Sequence, residues 1–135
     1  MANTLLSLSG VHTHIGPYHI LQGVDLIVPE GGVTVLLGRN GAGKTTLVLH
    51  LNGILTAGAG TVSVSGLRVE KKNLAEIRRR VGVVFQDPDD QLFMPTVRDD
   101  VAFGPRNLGL KGADLDRRVA DALEQVGMND FADRP

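Results

Sequence analysis

The sequence predicts an α/β fold built around a strand, a glycine loop and a helix, with a small antiparallel sheet beside them and a helical last third. Three observations predict it. The run VTVLL at 33–37 suits a strand covered on both faces. The stretch GRNGAGKT that follows satisfies the spacing G-x-x-x-x-G-K-[ST], and Leu47, Val48 and Leu51 give the next segment the apolar face of a helix. Around this unit, residues 5–11, 21–28 and 61–66 alternate in the manner of half-buried strands.

Residues 5–11 form the first expected strand, and His14, Ile15, Gly16, Pro17 and Tyr18 read as a loop turned by the glycine and proline. Tyr18 stands just ahead of the second strand, where it could stack on an adenine or pack half-buried beside its strand. Val24, Leu26 and Val28 give that strand one apolar face, and PEGG at 29–32 turns the chain into 33–37. After the loop helix, AGAG at 57–60 breaks the chain before the strand at 61–66.

Residues 72–80 read as a short charged helix with Leu74 and Ile77 as its apolar pair and Arg78, Arg79 and Arg80 facing water. VGVVF at 81–85 reads as a second buried strand that delivers Gln86 at its carboxyl end, where ligands sit in open parallel sheets. Leu92, Phe93 and Met94 either form an exposed apolar patch or tuck under the helices that follow. Thr96 with Asp99 makes a capping box for a helix from Val97 to about Phe103, interrupted by Gly104 and Pro105. Asp114 is expected to cap a further helix whose Leu115, Val119, Ala122, Leu123 and Val126 share one face, with Gly127 ending it.

The glycine loop carries the chemistry. Glycines at 38, 41 and 43 remove side chains that would block close approach, so successive backbone N–H groups can turn inward around an anion. A helix opening near Lys44 adds its free N-terminal donors and the positive end of its dipole. On this reading Gly38, Arg39, Asn40, Gly41, Ala42, Gly43, Lys44, Thr45 and Thr46 cradle a triphosphate. Lys44 sits between the β- and γ-phosphates, Thr45 offers a hydroxyl to Mg²⁺, and Thr46 helps at the α-phosphate. Gln86 is placed to meet the same nucleotide, its amide able to ligate Mg²⁺ and position a water.

Composition narrows the alternatives. The 135 residues are enough for one core, and 42% of them are hydrophobic. A formal charge of −1 gives no basic field of the kind that marks a general nucleic-acid binder, so nucleic acid is not an expected partner. The absence of cysteine leaves no disulfide framework or thiolate metal site. No run approaches a membrane span, and residues 1–10 lack the features of a signal peptide, which points to a soluble chain in the cytoplasm. Among His12, His14, His19 and His50, His12 and His14 could share one strand face, but neither has acidic or thiol companions nearby, so surface histidines are the reading and no histidine is assigned as a metal ligand.

Taken together, GRNGAGKTT, the segment VGVVFQ ending in Gln86 and the helical stretch leading to DRP resemble the ATP-binding subunits of ABC transporters. QDPDDQLFMPTVRDDVAFGPRNLGL at 86–110 resembles the branch that powers cobalt, nickel and vitamin uptake through energy-coupling complexes. The glycine loop alone also fits amino-acid importers. The resemblance implies a RecA-like P-loop core over residues 1–94 with an antiparallel side sheet, and the start of a helical subdomain over 95–135. It implies ATP and Mg²⁺ as ligands, with Lys44 and Gln86 in the catalytic set and Thr45 and Gln86 on the metal.

It also implies two partners. One is a second ATPase subunit; the other is an integral membrane subunit met through residues 86–93, which would hold the chain peripherally at the cytoplasmic membrane face. The family's aromatic ahead of the second strand aligns with Ile15 or His14 rather than with Tyr18, three residues further on. The family's LSGGQ signature, its Asp-Glu strand and its switch histidine would all follow Pro135. The expectation is therefore the amino-terminal portion of a transport ATPase, binding Mg·ATP at best and turning it over negligibly alone. A non-hydrolysing nucleotide-binding regulatory module is the alternative from a different class. A P-loop kinase or repair ATPase fits less well, because residues 86–110 offer neither an acceptor site with lid arginines nor the start of a long heptad helix.

Overall fold

The computed structural model describes residues 3–87, 89 and 92–135. The chain forms two compact units, Met1–Val83 and Val84–Pro135.

The first unit is a four-stranded antiparallel sheet and the helical segments laid on it. Its strands are β1 (Thr4–Ile15), β2 (Tyr18–Pro29), β3 (Ala59–Val64) and β4 (Leu67–Arg68), in the spatial order β2-β1-β3-β4. This is the expected side sheet, with longer strands. The expected loop at 14–18 shrinks to the turn at Gly16 and Pro17, and Ile15 pairs with Tyr18 across it. β4 was not foreseen; it follows a tight turn at Ser65 and Gly66, both with positive φ, which suits the right-handed twist of a hairpin.

Loose alternation in the first strand has a physical reason. Leu8 and Val11 are both buried although three positions apart, because the register slips between them at a bulge. The Asp25 carboxylate accepts the Gly10 N–H at 2.7 Å there. Leu8, Val11, Leu21 and Val62 from the sheet meet Leu47 in one core.

Helix α1 (Lys44–Val48) and helix α2 (Leu74–Arg80) complete the unit, α2 being preceded by a 3-10 turn at Lys71–Asn73. Ile77 is fully buried, while Glu76 pairs with Arg79 and Arg80 and Arg78 donates to the Asn52 carbonyl at 3.0 Å. The arginine run thus faces outward as expected.

Two expectations fail. Residues 33–37 and 81–85 form no strand, and Val33, Val35, Leu37 and Val84 are 93, 70, 86 and 88% exposed. A strand of the parallel, doubly covered kind exists only with neighbours on its edges and helices on its faces. Among the described residues, no strand pairs with either segment.

The second unit holds helix α3 (Val97–Asn107) and helix α4 (Gly112–Gln125), ending in a 3-10 turn at Asn129–Phe131. Ala102, Leu115, Val119, Leu123 and Ala132 form its core. Thr96 caps α3 as expected, its hydroxyl accepting the Asp99 N–H at 3.2 Å. The helix does not stop at Phe103 but runs through Pro105. Proline clashes with the Cβ of a helical residue before it, and Gly104 has none, so the helix continues at the expense of one hydrogen bond. α4 starts three residues early, which places Asp114 in its first turn and not at its cap. Val126 leaves the helix as its C-cap and is 68% exposed, so it departs from the apolar face. Gly127, with positive φ, ends the segment as expected, donating to the Glu124 carbonyl.

Candidate functional site: the phosphate loop

The loop at 38–46 leads into α1. Gly43 caps that helix at φ 99°, and no side chain or first-turn acid competes for its N-terminal donors. Its Leu47 N–H donates to the Gly43 carbonyl at 2.9 Å, which closes the first helical turn. A Cβ on Gly43 would lie 3.3 Å from Leu21 Cδ2 and 3.4 Å from Ile20 Cγ2, so β2 presses directly on the loop's carboxyl end. At the other end Ala42 donates to the Arg39 carbonyl at 3.1 Å, making a turn, and Gly41 has φ 84°.

Lys44 folds back along the loop and donates from Nζ to the Gly38 carbonyl. Its ammonium is therefore held over the loop and not extended into solvent. Arg39, Asn40 and Thr45 are exposed, and Lys44 and Thr46 are half-buried. The structure thus brings Gly38, Ala42 and Lys44 together around one turn. Unopposed helix donors, glycines with positive φ and a tethered ammonium all fit an anionic oxygen-rich group. The exposed Thr45 hydroxyl fits a hard cation bound beside it.

Gln86 belongs to the second unit, exposed at a bend. Of the segment 86–93, Pro88, Asp90 and Gln91 lie outside the described residues. Asp87 accepts the Asp89 N–H at 3.0 Å, while Asp100 accepts those of Phe93 and Met94, both at 3.2 Å. The Phe93 ring meets Phe103 edge-on, centroids 4.9 Å apart, yet remains 61% exposed beside Leu92 at 60%. Both readings of this apolar run therefore hold in part: it is anchored to α3 and still presents a surface.

Tyr18 is 68% exposed at the hairpin turn. His14, its alternative as the aromatic of this region, stacks on His19 with centroids 4.1 Å apart and planes 10° from parallel. His12 reaches His19 as well, Nδ1 to Nε2 at 3.1 Å. The His19 pKa is lowered, first by desolvation and then by the charges of His14 and His12, against a raising backbone hydrogen bond at Leu21. Among the described residues no group of three or more His, Cys, Asp or Glu side chains is placed to hold a metal.

His50 overturns its expected surface position. It is 1% exposed, and Thr13 beside it is 3% exposed. The signal for it was present in the flanking Leu47 and Leu51, which place position 50 near the apolar side of the segment.

A glycine loop of this shape opening a helix, with its lysine folded over it, defines a P-loop nucleotide-binding fold. The family described as ABC transporter matches residues 21–135, and the chain belongs to it. The energy-coupling factor transporter ATP-binding protein EcfA of Carboxydothermus hydrogenoformans is 55% identical over 115 residues, covering 85% of this chain and 43% of that protein. A Streptomyces coelicolor protein provisionally named as an ABC transporter ATP-binding protein is 68% identical over 118 residues, 87% of this chain and 45% of its own.

The solved structure of cbiO1 from Clostridium perfringens, described as part of the ABC transporter complex cbiONQ, superposes with a TM-score of 0.83 at 34% identity. That match covers 98% of this chain and 54% of the other. The chain therefore spans about half the length of the relatives it matches. The resemblance to the energy-coupling branch is borne out, and the fold is that of an ABC ATPase, seen over its side sheet, phosphate loop and helices. Among the described residues no helix is long and apolar enough to cross a membrane.

Proposed function

We propose that this chain is the nucleotide-gripping part of the ATP-binding subunit of an energy-coupling importer, carrying cobalt or nickel ions or a vitamin. The observation that carries this is Lys44 held over a loop whose helix donors have no internal competitor. Gly38 through Thr46 hold the phosphates of ATP, Thr45 and Gln86 supply oxygen ligands to Mg²⁺, and Lys44 and Gln86 belong to the catalytic set. Mg²⁺ would neutralise phosphate charge there.

Residues 1–94 act as nucleotide core and side sheet and 95–135 as the start of a helical subdomain. Within the whole subunit, ATP binding and hydrolysis drive conformational change in a membrane partner at the cytoplasmic face. The surface of Phe93 and Leu92 within segment 86–93 meets that partner, and a second ATPase subunit closes over the γ-phosphate. Hydrolysis needs a water-orienting carboxylate and a charge clamp from the second subunit, whose absence lowers rates by orders of magnitude. This chain by itself binds Mg·ATP without appreciable turnover.

Calorimetry of Mg·ATP against the purified chain and Lys44→Ala tests the reading. Saturable binding that the substitution abolishes is expected. Equal binding by both proteins would refute the assignment of the loop.

A further inference from the structure

His50 and Thr13 are the buried polar side chains of the described residues, and they touch. Helix α1 ends at Val48, so its carbonyls need partners from beyond the regular ladder. Leu49 donates to the Thr45 carbonyl at 3.1 Å, but the His50 N–H turns to Leu47 instead of Thr46. The Thr46 carbonyl is met by the His50 ring, Nδ1 to O at 2.7 Å. A carbonyl only accepts, so Nδ1 carries the hydrogen. In the neutral ring Nε2 is then an acceptor, and it lies 2.7 Å from Thr13 Oγ1, whose hydroxyl can donate to it.

The imidazole therefore joins the last turn of the phosphate-loop helix to the carboxyl end of β1. Thr13 pairs in register with Leu21 of β2, and Leu21 is the side chain that abuts Gly43 at the start of the same helix. The circuit Gly43, Thr46, His50, Thr13, Leu21 closes on itself. An isolated helix of five residues has almost no stability of its own, so its placement depends on such ties.

We infer that His50 is a positioning residue for the nucleotide site, bracing Lys44, Thr45 and Thr46 against the sheet through Thr13. The inference rests on the phosphate-loop reading above. Removing the Thr13 hydroxyl leaves Nε2 buried without a donor, and the helix relaxes outward to hydrate it.

The test compares Mg·ATP affinity by calorimetry for the wild-type chain, Lys44→Ala, Thr13→Val and Thr13→Ser, with denaturant unfolding of each. Thr13→Val is expected to weaken binding about tenfold, the effect of one lost hydrogen bond to a buried group, and Thr13→Ser to restore it. A purely structural contact would lower the unfolding midpoint and leave affinity unchanged; that outcome overturns the inference. Wild-type binding that does not depend on Lys44, or is absent, overturns the phosphate-loop reading itself and is visible before the Thr13 variants are compared. A second measurement needs no variant: the His50 ring ¹⁵N resonances should show a protonated Nδ1 and move when Mg·ATP is added. An Nε2-protonated neutral ring, or one indifferent to nucleotide, refutes the brace.

Discussion

Replacing Gly43 by alanine probes the phosphate loop with the fewest assumptions. At φ 99° the residue lies beyond the left-handed region that side chains tolerate, which costs about 1–3 kcal/mol for any residue with a Cβ. The new methyl would also stand 3.3 Å from Leu21 Cδ2 and 3.4 Å from Ile20 Cγ2. Those methyls can give by a few tenths of an ångström, so the contact adds less than the backbone term. Two responses are open. Either the loop keeps its shape and the folded state loses stability, or the loop relaxes and the nucleotide must restore it. The bound state relative to unfolded chain and free ATP is the same in both cases. Losses in unfolding free energy and in binding free energy therefore sum to about 2 kcal/mol, however they divide.

Denaturant unfolding of the free chain gives the first loss and calorimetry the second. Gly41→Ala is the comparator, since φ is 84° there and nothing lies within 4 Å of a built Cβ. Its sum reports backbone strain alone, and the difference between the variants reports the pressure of β2. A combined loss for Gly43→Ala below about 0.5 kcal/mol, the scatter of neutral surface changes, would refute the loop geometry described above.

Two further outcomes follow from burial and charge. The His19 pKa in the fold lies below its ordinary 6.5, so the unfolded chain binds more protons between the two values. The contribution of His19 to stability is fully present above pH 6.5 and is lost as pH falls from there through the lower folded pKa; unfolding midpoints of His19→Asn should decline less steeply, and parallel profiles would dismiss the histidine stack as their origin. Ile77, at 0% exposure, should lose about 2–5 kcal/mol on replacement by alanine, whereas Val33→Thr, at 93%, should change denaturant stability by under about 0.5 kcal/mol. A large effect at Val33 would mean that the segment 33–37 is covered in solution.

What was legible in the sequence was whatever the chain satisfies locally. Thr96 and Asp99 lie one turn apart and cap α3 with no help from elsewhere. Leu115, Val119 and Leu123 recur at helical spacing and are buried together. The pattern VTVLL at 33–37 was read correctly as apolar and wrongly as buried, because burial of a central strand depends on neighbours that are not among the described residues. The histidine stack was hidden for another reason. His14 and His19 face one another only once the turn is tightened to Gly16 and Pro17, and one residue of register would separate them. His50 was legible in part, since Leu47 and Leu51 place it near the apolar side, but its partner Thr13 lies 37 positions away in sequence and meets it only in the fold.

The two flanks of the phosphate loop are held unequally, and this bears on how the site works. On the carboxyl side Leu47 sits in the core, His50 ties Thr46 to β1, and Gly43 abuts Ile20 and Leu21. On the amino side 33–37 carries no ladder, and Val33 and Leu37 are almost wholly exposed. The motif begins at Gly38, but the forces that shape it come from the side sheet. Perturbations of β1 and β2 should therefore reach the phosphate-loop backbone more directly than equal perturbations of 33–37, although the latter run into the loop without a break. The side sheet is in this sense part of the proposed site, because it fixes where the helix that carries Lys44 stands.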